Sequence, residues 1–193
     1  MLILLLLSQS YAAPTGYTVS KADTQGCELS LGPANSAGVV PMYADCHWKG
    51  ATMARYEQVL SDWPGHVNVF STVIESTVQK TVGDKVLIHQ VHKTGGIANR
   101  EVVLWGTHGQ VDGYSRHSWA KAKDPLEPAK GNVVVAFHEG YWQAKVDPAG
   151  GIHVIHELYY GPGGSVPSFL VRWFQVGGLE TSMKEMRTAL NAQ

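Results

Sequence analysis

The nine histidines among 193 residues are the side chains best suited to chemistry in this chain. Imidazole titrates near neutral pH and serves as base, hydrogen-bond acceptor or metal ligand. Their spacing forms no metal pattern. His89 and His92 sit three apart on a strand-like stretch and so point to opposite faces, as do His153 and His156; no His-x-His, His-Glu-x-x-His or clustered Cys/His motif occurs. On this basis no metal site and no cofactor is expected. The pairs His138-Glu139 and His156-Glu157 bring base and acid types together, but neighbours on a strand face apart, so neither is a dyad. A Gly-x-Ser-x-Gly elbow is lacking, and the glycines at 95–96 and 161–164 have neither the Lys nor the βαβ context of a phosphate cradle; both read as turns. No catalytic residue is assigned. His117, His138 and His156 remain as groups that could meet in a cavity and hydrogen-bond a ligand hydroxyl or headgroup; the alternative is histidines that are satisfied or exposed.

The two cysteines, Cys27 and Cys46, are too few and too far apart for a zinc signature. Cys27–Leu31 and Val39–Trp48 read as two strands joined by a Gly/Pro/Asn/Ser turn, and a hairpin centred near residues 36 and 37 puts Cys27 opposite Cys46. A disulfide there would close a loop worth about 3 kcal/mol in the chain-entropy model. Two independent buried thiols are the alternative.

The elements that must position these groups follow from periodicity. Ala51–Leu60 lacks Gly and Pro and spaces Met53, Tyr56, Val59 and Leu60 as a helix does, with Thr52 as cap; Trp63-Pro64-Gly65 ends it. Val67–Val82, Lys85–His92, Arg100–Thr107, Gly113–Ala122, Val133–His138, Gly140–Val146 and Ile152–Tyr160 read as strands, with Asp147–Gly151 as a turn. Last comes a long amphipathic helix, on which Val166, Phe169, Leu170, Trp173, Val176, Leu179, Met183, Met186 and Leu190 recur at threes and fours. Gly177 and Gly178 in its middle cost roughly 1 kcal/mol each relative to Ala. They reflect close packing or a kink, or they leave room for a ligand beneath the helix. Two strands, a short helix, a run of strands and a long helix make an α+β plan, with the helix laid on an antiparallel sheet.

Composition limits the partners. A net charge of -1 and a pI near 6.7 provide no basic field for nucleic acid, so neutral or apolar partners are expected. The length suits one domain plus a leader. Leu2–Leu7 followed by Ser8–Ser10 and a Ser10-x-Ala12 cleavage signal read as a secretory signal peptide over residues 1–12, the alternative being a buried strand. Export to a periplasmic or extracellular space agrees with a disulfide.

The order of elements, together with YEQVLSDWPGHVNVFSTVIES, NREVVLWGTHG, the strand pair around Asp147–Gly151 and LYYGPGGSVPSFLVRWF, resembles the START domain and its wider polyketide-cyclase and Bet v 1-like helix-grip relatives, over residues 26–193. The resemblance implies a curved sheet wrapped around the C-terminal helix, and a tunnel between them that binds and transfers a lipid, sterol or other hydrophobic molecule, with transient membrane contact. A cyclase, hydratase or hydrolase of the same fold acting on an aromatic or polyketide-like substrate is the alternative. Phe70, Val103, Trp105, Trp119, Trp142, Tyr160, Phe169 and Trp173 are the candidate lining beside the three histidines, and ordinary core is the competing role for each. Opening is expected through the last helix or the loop Leu126–Gly131.

Overall fold

The computed structural model describes residues 13–36, 38–93, 95–123, 126–166 and 168–192, with the side chains of 23 and 168–176 outside the description. The expected leader over residues 1–12 therefore lies outside the described residues. The chain runs β1 (Thr18–Thr24), β2 (Cys27–Leu31), β3 (Met42–Trp48), α1 (Met53–Ser61), the single turn α2 (His66–Val69), β4 (Val73–Val82), β5 (Lys85–His92), β6 (Arg100–Val111), β7 (Tyr114–Lys121), β8 (Val133–Val134), β9 (Phe137–Val146), β10 (Ile152–Gly161) and α3 (Ser168–Asn191). Among the described residues the strands form one sheet ordered β1-β2-β3-β10-β9-β7-β6-β5-β4, with β8 added in parallel to β6. The other pairings are antiparallel. This is the α+β helix-grip architecture, an antiparallel sheet holding one long C-terminal helix.

Pairing of β3 with β10 joins an early strand to the last one, His47 lying opposite His153 and Cys46 opposite Val154. On the other edge of β3, Cys27 pairs directly with Cys46 and the two sulfurs are bonded. The disulfide faces the core beside Met183 of α3. Leu179, Met183, Met186 and Leu190, spaced four, three and four apart, are at most 4 % exposed and pack with Leu29, Ala44, Trp48, Tyr56 and Leu60. The C-terminal half of α3 is thus fixed on the sheet. α1 begins where Thr52 caps it by accepting from the Arg55 amide at 3.2 Å, one of the orphan donors of a helix start.

Several boundaries differ from the sequence reading. β1 lies before residue 26, where the domain was expected to begin, and adds an edge strand to β2. Val67–Val69, read as the start of a strand, belongs to the helical turn His66–Val69, with the amide of Phe70 donating to the His66 carbonyl at 2.9 Å; the β-branched valines there are overridden by the turn that Pro64-Gly65 initiates. β6 continues to Val111 because Asp112 and Gly113 both take positive φ, 51° and 78°, as a two-residue hairpin turn matched to strand twist requires. Val133–His138 is not one strand: β8 ends at Val134, and Phe137 already belongs to β9.

Candidate ligand-binding cavity

Alternation along the strands decides which side chains meet. The inward set includes Ile88, Gln90 and His92 of β5, Val102 and Leu104 of β6, His117 and Trp119 of β7, His138 and Trp142 of β9, and His156, Leu158 and Tyr160 of β10. Together with Leu60 and Trp63 after α1, His66 of α2, Phe70, Met42 and the α3 residues Gly178, Leu179 and Ser182, most of these enclose a cavity of about 290 Å³. That is close to the lower end of the ~300–1,000 Å³ of small-molecule sites. Its exposed rim is formed by Thr72, Lys93 and Gly95, so the opening lies between the β5–β6 loop and the turn before β4. A Cβ at Gly178 would meet no atom within 4 Å, so the glycine leaves open space rather than a close packing contact. At Gly140 a Cβ would stand 2.4 Å from the Glu157 carbonyl and 3.0 Å from the Trp119 ring; glycine lets that indole lie flat in the wall.

Of the expected lining, Phe70, His117, Trp119, His138, Trp142, His156 and Tyr160 stand on the cavity. Val103 and Trp105 do not. They alternate with the inward Val102 and Leu104, and Trp105 lies on the opposite face beneath the Lys80 ammonium, 5.5 Å from its ring centre. The stretch Val102-Val103-Leu104-Trp105 is apolar on both faces, so its alternation has no phase in the sequence, and a slip of one residue exchanges the faces. The side chains of Phe169 and Trp173 lie outside the described residues. No residue of Leu126–Gly131 borders the cavity. The Glu101 carboxylate pins that loop by accepting from the Ala129 amide and Asn132 Nδ2, each at 2.9 Å, while its other oxygen pairs with His89 Nε2 at 2.8 Å.

Sequence reasoning missed His66 and His92. With them, five imidazoles border an otherwise apolar space, and none of the five keeps its ordinary pKa. Desolvation lowers His66 and His92 to about 4 and His156 to about 3, and pushes His138 well down. In His117 desolvation is opposed by the Glu57 carboxylate, whose Oε2 lies 2.7 Å from Nε2, and the net shift is still downward. All are neutral at pH 7.

Hydrogen bonds fix which nitrogen carries the proton. His156 Nδ1 donates to the Tyr141 carbonyl at 2.9 Å, leaving Nε2 as a bare acceptor. Ser76 Oγ donates to the Trp63 carbonyl at 2.6 Å and accepts from Gln90 Nε2 at 3.0 Å. Gln90 Oε1 therefore faces His92 Nε2, 3.1 Å away, which must be the protonated nitrogen. Three buried polar atoms on cavity residues, His66 Nε2, Trp119 Nε1 and His138 Nδ1, have no hydrogen-bond partner. Such atoms cost about 1–3 kcal/mol each when left unmade. Trp142 and Trp119 both stack with His156, and the His138 ring meets Trp119, Tyr160 and His92 edge-on. Chemically this is an apolar chamber with uncharged donors and acceptors on the sheet and on α2.

No family model matches the sequence, and no curated protein matches it. Solved structures do. The STAR-related lipid transfer protein of Xanthomonas axonopodis superposes with a TM-score of 0.80 at 21 % identity, over 92 % of this chain and 99 % of that one. Human StAR-related lipid transfer protein 5 gives a TM-score of 0.83 at 12 % identity, over 92 % and 88 %. An aromatase/cyclase from Streptomyces gives 0.51 at 12 % identity, over 79 % and 97 %. These likenesses concern the fold.

Proposed function

For a chain with the START fold, we propose that this protein binds and carries one hydrophobic molecule of lipid or sterol type, bearing a single uncharged polar group, in the cavity between the sheet and α3. The supporting observation is the combination of an apolar chamber with three unpartnered buried polar atoms and imidazoles held neutral. A charged headgroup in the interior would lose its hydration among neutral side chains, the Lys93 ammonium standing only at the rim, whereas a hydroxyl can give to an imidazole and receive from the Trp119 indole. The fold's likeness to lipid transfer proteins supports the same reading. We further propose residues 1–12 as a leader, an oxidising compartment outside the cytoplasm in keeping with the Cys27–Cys46 bond, and transient membrane contact for loading.

Native mass spectrometry and solvent extraction of the purified protein test this. One neutral lipid-like molecule per chain, displaced by a competing hydroxylated lipid, is the expected result; a chain that retains no apolar molecule and takes up none from vesicles overturns it.

The second reading is an enzyme acting on an aromatic or polyketide-like substrate, and the five neutral imidazoles are what favours it, since a neutral imidazole is a competent general base. Substituting His117, His138 and His156 one at a time separates the two. Turnover lost with binding retained identifies an enzyme; binding changes with no turnover in any variant identify a carrier.

A further inference from the structure

The face of the sheet turned away from the cavity carries a second constellation. Asp45 and His47 are two apart on β3 and share that face, and His153 of β10 lies directly opposite His47. Their carboxylate oxygen and two imidazole nitrogens lie within 4.8 Å of one another. The two rings stack in parallel with centroids 4.5 Å apart, and Asp45 Oδ1 is 2.7 Å from His153 Nε2 and 3.9 Å from His47 Nε2. We propose that Asp45, His47 and His153 form a binding site for one divalent metal ion of the zinc class.

Two features distinguish this from a chance polar cluster. Each imidazole is held from behind: His47 Nδ1 by the Asp147 carboxylate at 2.5 Å, and His153 Nδ1 by the Tyr114 hydroxyl at 2.9 Å. Metal-bound histidines are oriented in this manner, the far nitrogen giving its proton to a fixed acceptor while the near one faces the ion. The site is also rigid and screened. Cys46, between Asp45 and His47, is bonded to Cys27, and Ile152 and Val154, flanking His153, are buried in the core. The side chains of Asp45, His47 and His153 are 4 %, 13 % and 16 % exposed, enough for a water to complete four-coordination.

On binding, the ion takes the place of the hydrogen bond between His153 and Asp45. The imidazole proton is then on Nδ1, where the Tyr114 oxygen accepts it. Lys145, opposite His153 on β9, holds its ammonium over the Tyr114 ring, 4.3 Å from the centroid. Two nitrogens and a carboxylate suit zinc, cobalt, nickel or copper better than magnesium or calcium, which prefer all-oxygen sets. The residues were invisible as a motif because the third ligand is 106 positions from the second and reaches it only through the β3–β10 pairing.

The test uses tag-free, chelator-stripped full chain titrated with zinc. One equivalent should bind, raising the thermal midpoint, with the imidazole NMR signals of His47 and His153 shifting while those of His92, His138 and His156 stay. H47A and H153A should each abolish stoichiometric uptake. Asp147→Asn, which keeps an acceptor for the turn, should weaken it by roughly 10–100-fold as outer-shell changes do. Absence of binding, uptake that survives both histidine variants, or shifts at His108 and His117 beside Glu57 in place of His47 and His153 overturns the proposal. Because the NMR readout is made on the unaltered protein, a variant that fails to fold does not shield it.

Discussion

The imidazole of His156 lies on the indole of Trp142 with ring centroids 3.9 Å apart and planes 17° apart, and Trp119 stacks with it at 5.9 Å. Enclosed in this way, the ring has no water to support a positive charge, and its pKa falls to about 3, desolvation outweighing the hydrogen bond to the Tyr141 carbonyl.

Stability should therefore decline on acidification in a defined window. The folded pKa values of His66, His92 and His156 lie near 3–4, below the ordinary 6.5, so the unfolded chain binds the extra protons. Unfolding free energy is at full value above about pH 6.5 and falls by about 1.4 kcal/mol per pH unit for each such imidazole until the folded values are reached. Urea denaturation at pH 7, 6 and 5 measures the slope. His156→Phe, which keeps the stack, should make it shallower by one proton; an unchanged slope would show that His156 does not stay neutral.

Gly178 and Gly177 should respond in opposite senses. Gly178 borders the cavity and Gly177 is exposed, though a Cβ on either meets no atom within 4 Å. Gly177→Ala should raise stability by roughly 0.5–1 kcal/mol and leave ligand uptake alone. Gly178→Leu should fill the chamber and weaken uptake by about tenfold or more, since displacing a fitted guest carries an overpacking cost of roughly 1–3 kcal/mol. Equal uptake by both variants in a fluorescent-lipid titration would remove α3 from the binding wall.

Reduction of Cys27–Cys46 should lower stability without unravelling the sheet. The bond closes a short loop between strands already paired in register, worth about 3 kcal/mol in the chain-entropy model. Thermal unfolding with and without a thiol reductant reads this directly; coincident curves would show that the pairing alone fixes the hairpin.

Glu101→Ala should free a loop and spare the cavity. The carboxylate accepts from Ala129 and Asn132 and pairs with His89; burial raises its pKa, but these partners outweigh it and hold the group below its ordinary value. Its removal should cost about 2–4 kcal/mol and accelerate hydrogen exchange at the Ala129 amide. Ligand uptake should persist, because residues 126–131 are not part of the wall.

What the sequence made legible was whatever has a local cause. Thr52 is a cap because its oxygen meets the Arg55 amide three residues on; Asp147–Gly151 turns because Asp147 accepts the Ala149 amide at 2.8 Å; Cys27 meets Cys46 because strand parity about one turn decides it. What stayed hidden depended on distant partners. β1 is a strand only because β2 offers it an edge, and its Thr-Val-Ser-Lys-Ala-Asp-Thr carries little apolar signal. His66 enters the wall through a helical turn that the neighbouring valines obscure, and Trp105 leaves it because both faces of β6 are apolar. Asp45, His47 and His153 were each visible as a type, while their meeting is a property of the β3–β10 register.

The hydrogen-bond relay from the Trp63 carbonyl through Ser76 and Gln90 fixes the tautomer of His92 at the cavity wall. With His92 Nε2 and His156 Nδ1 already committed as donors, the remaining nitrogens of those two rings can only receive a proton. A guest hydroxyl, with one proton, could give it to one of these nitrogens, whereas a ketone oxygen could give to neither. Tautomers set by the protein's own hydrogen bonds would thus let the wall tell an alcohol from a ketone of the same shape.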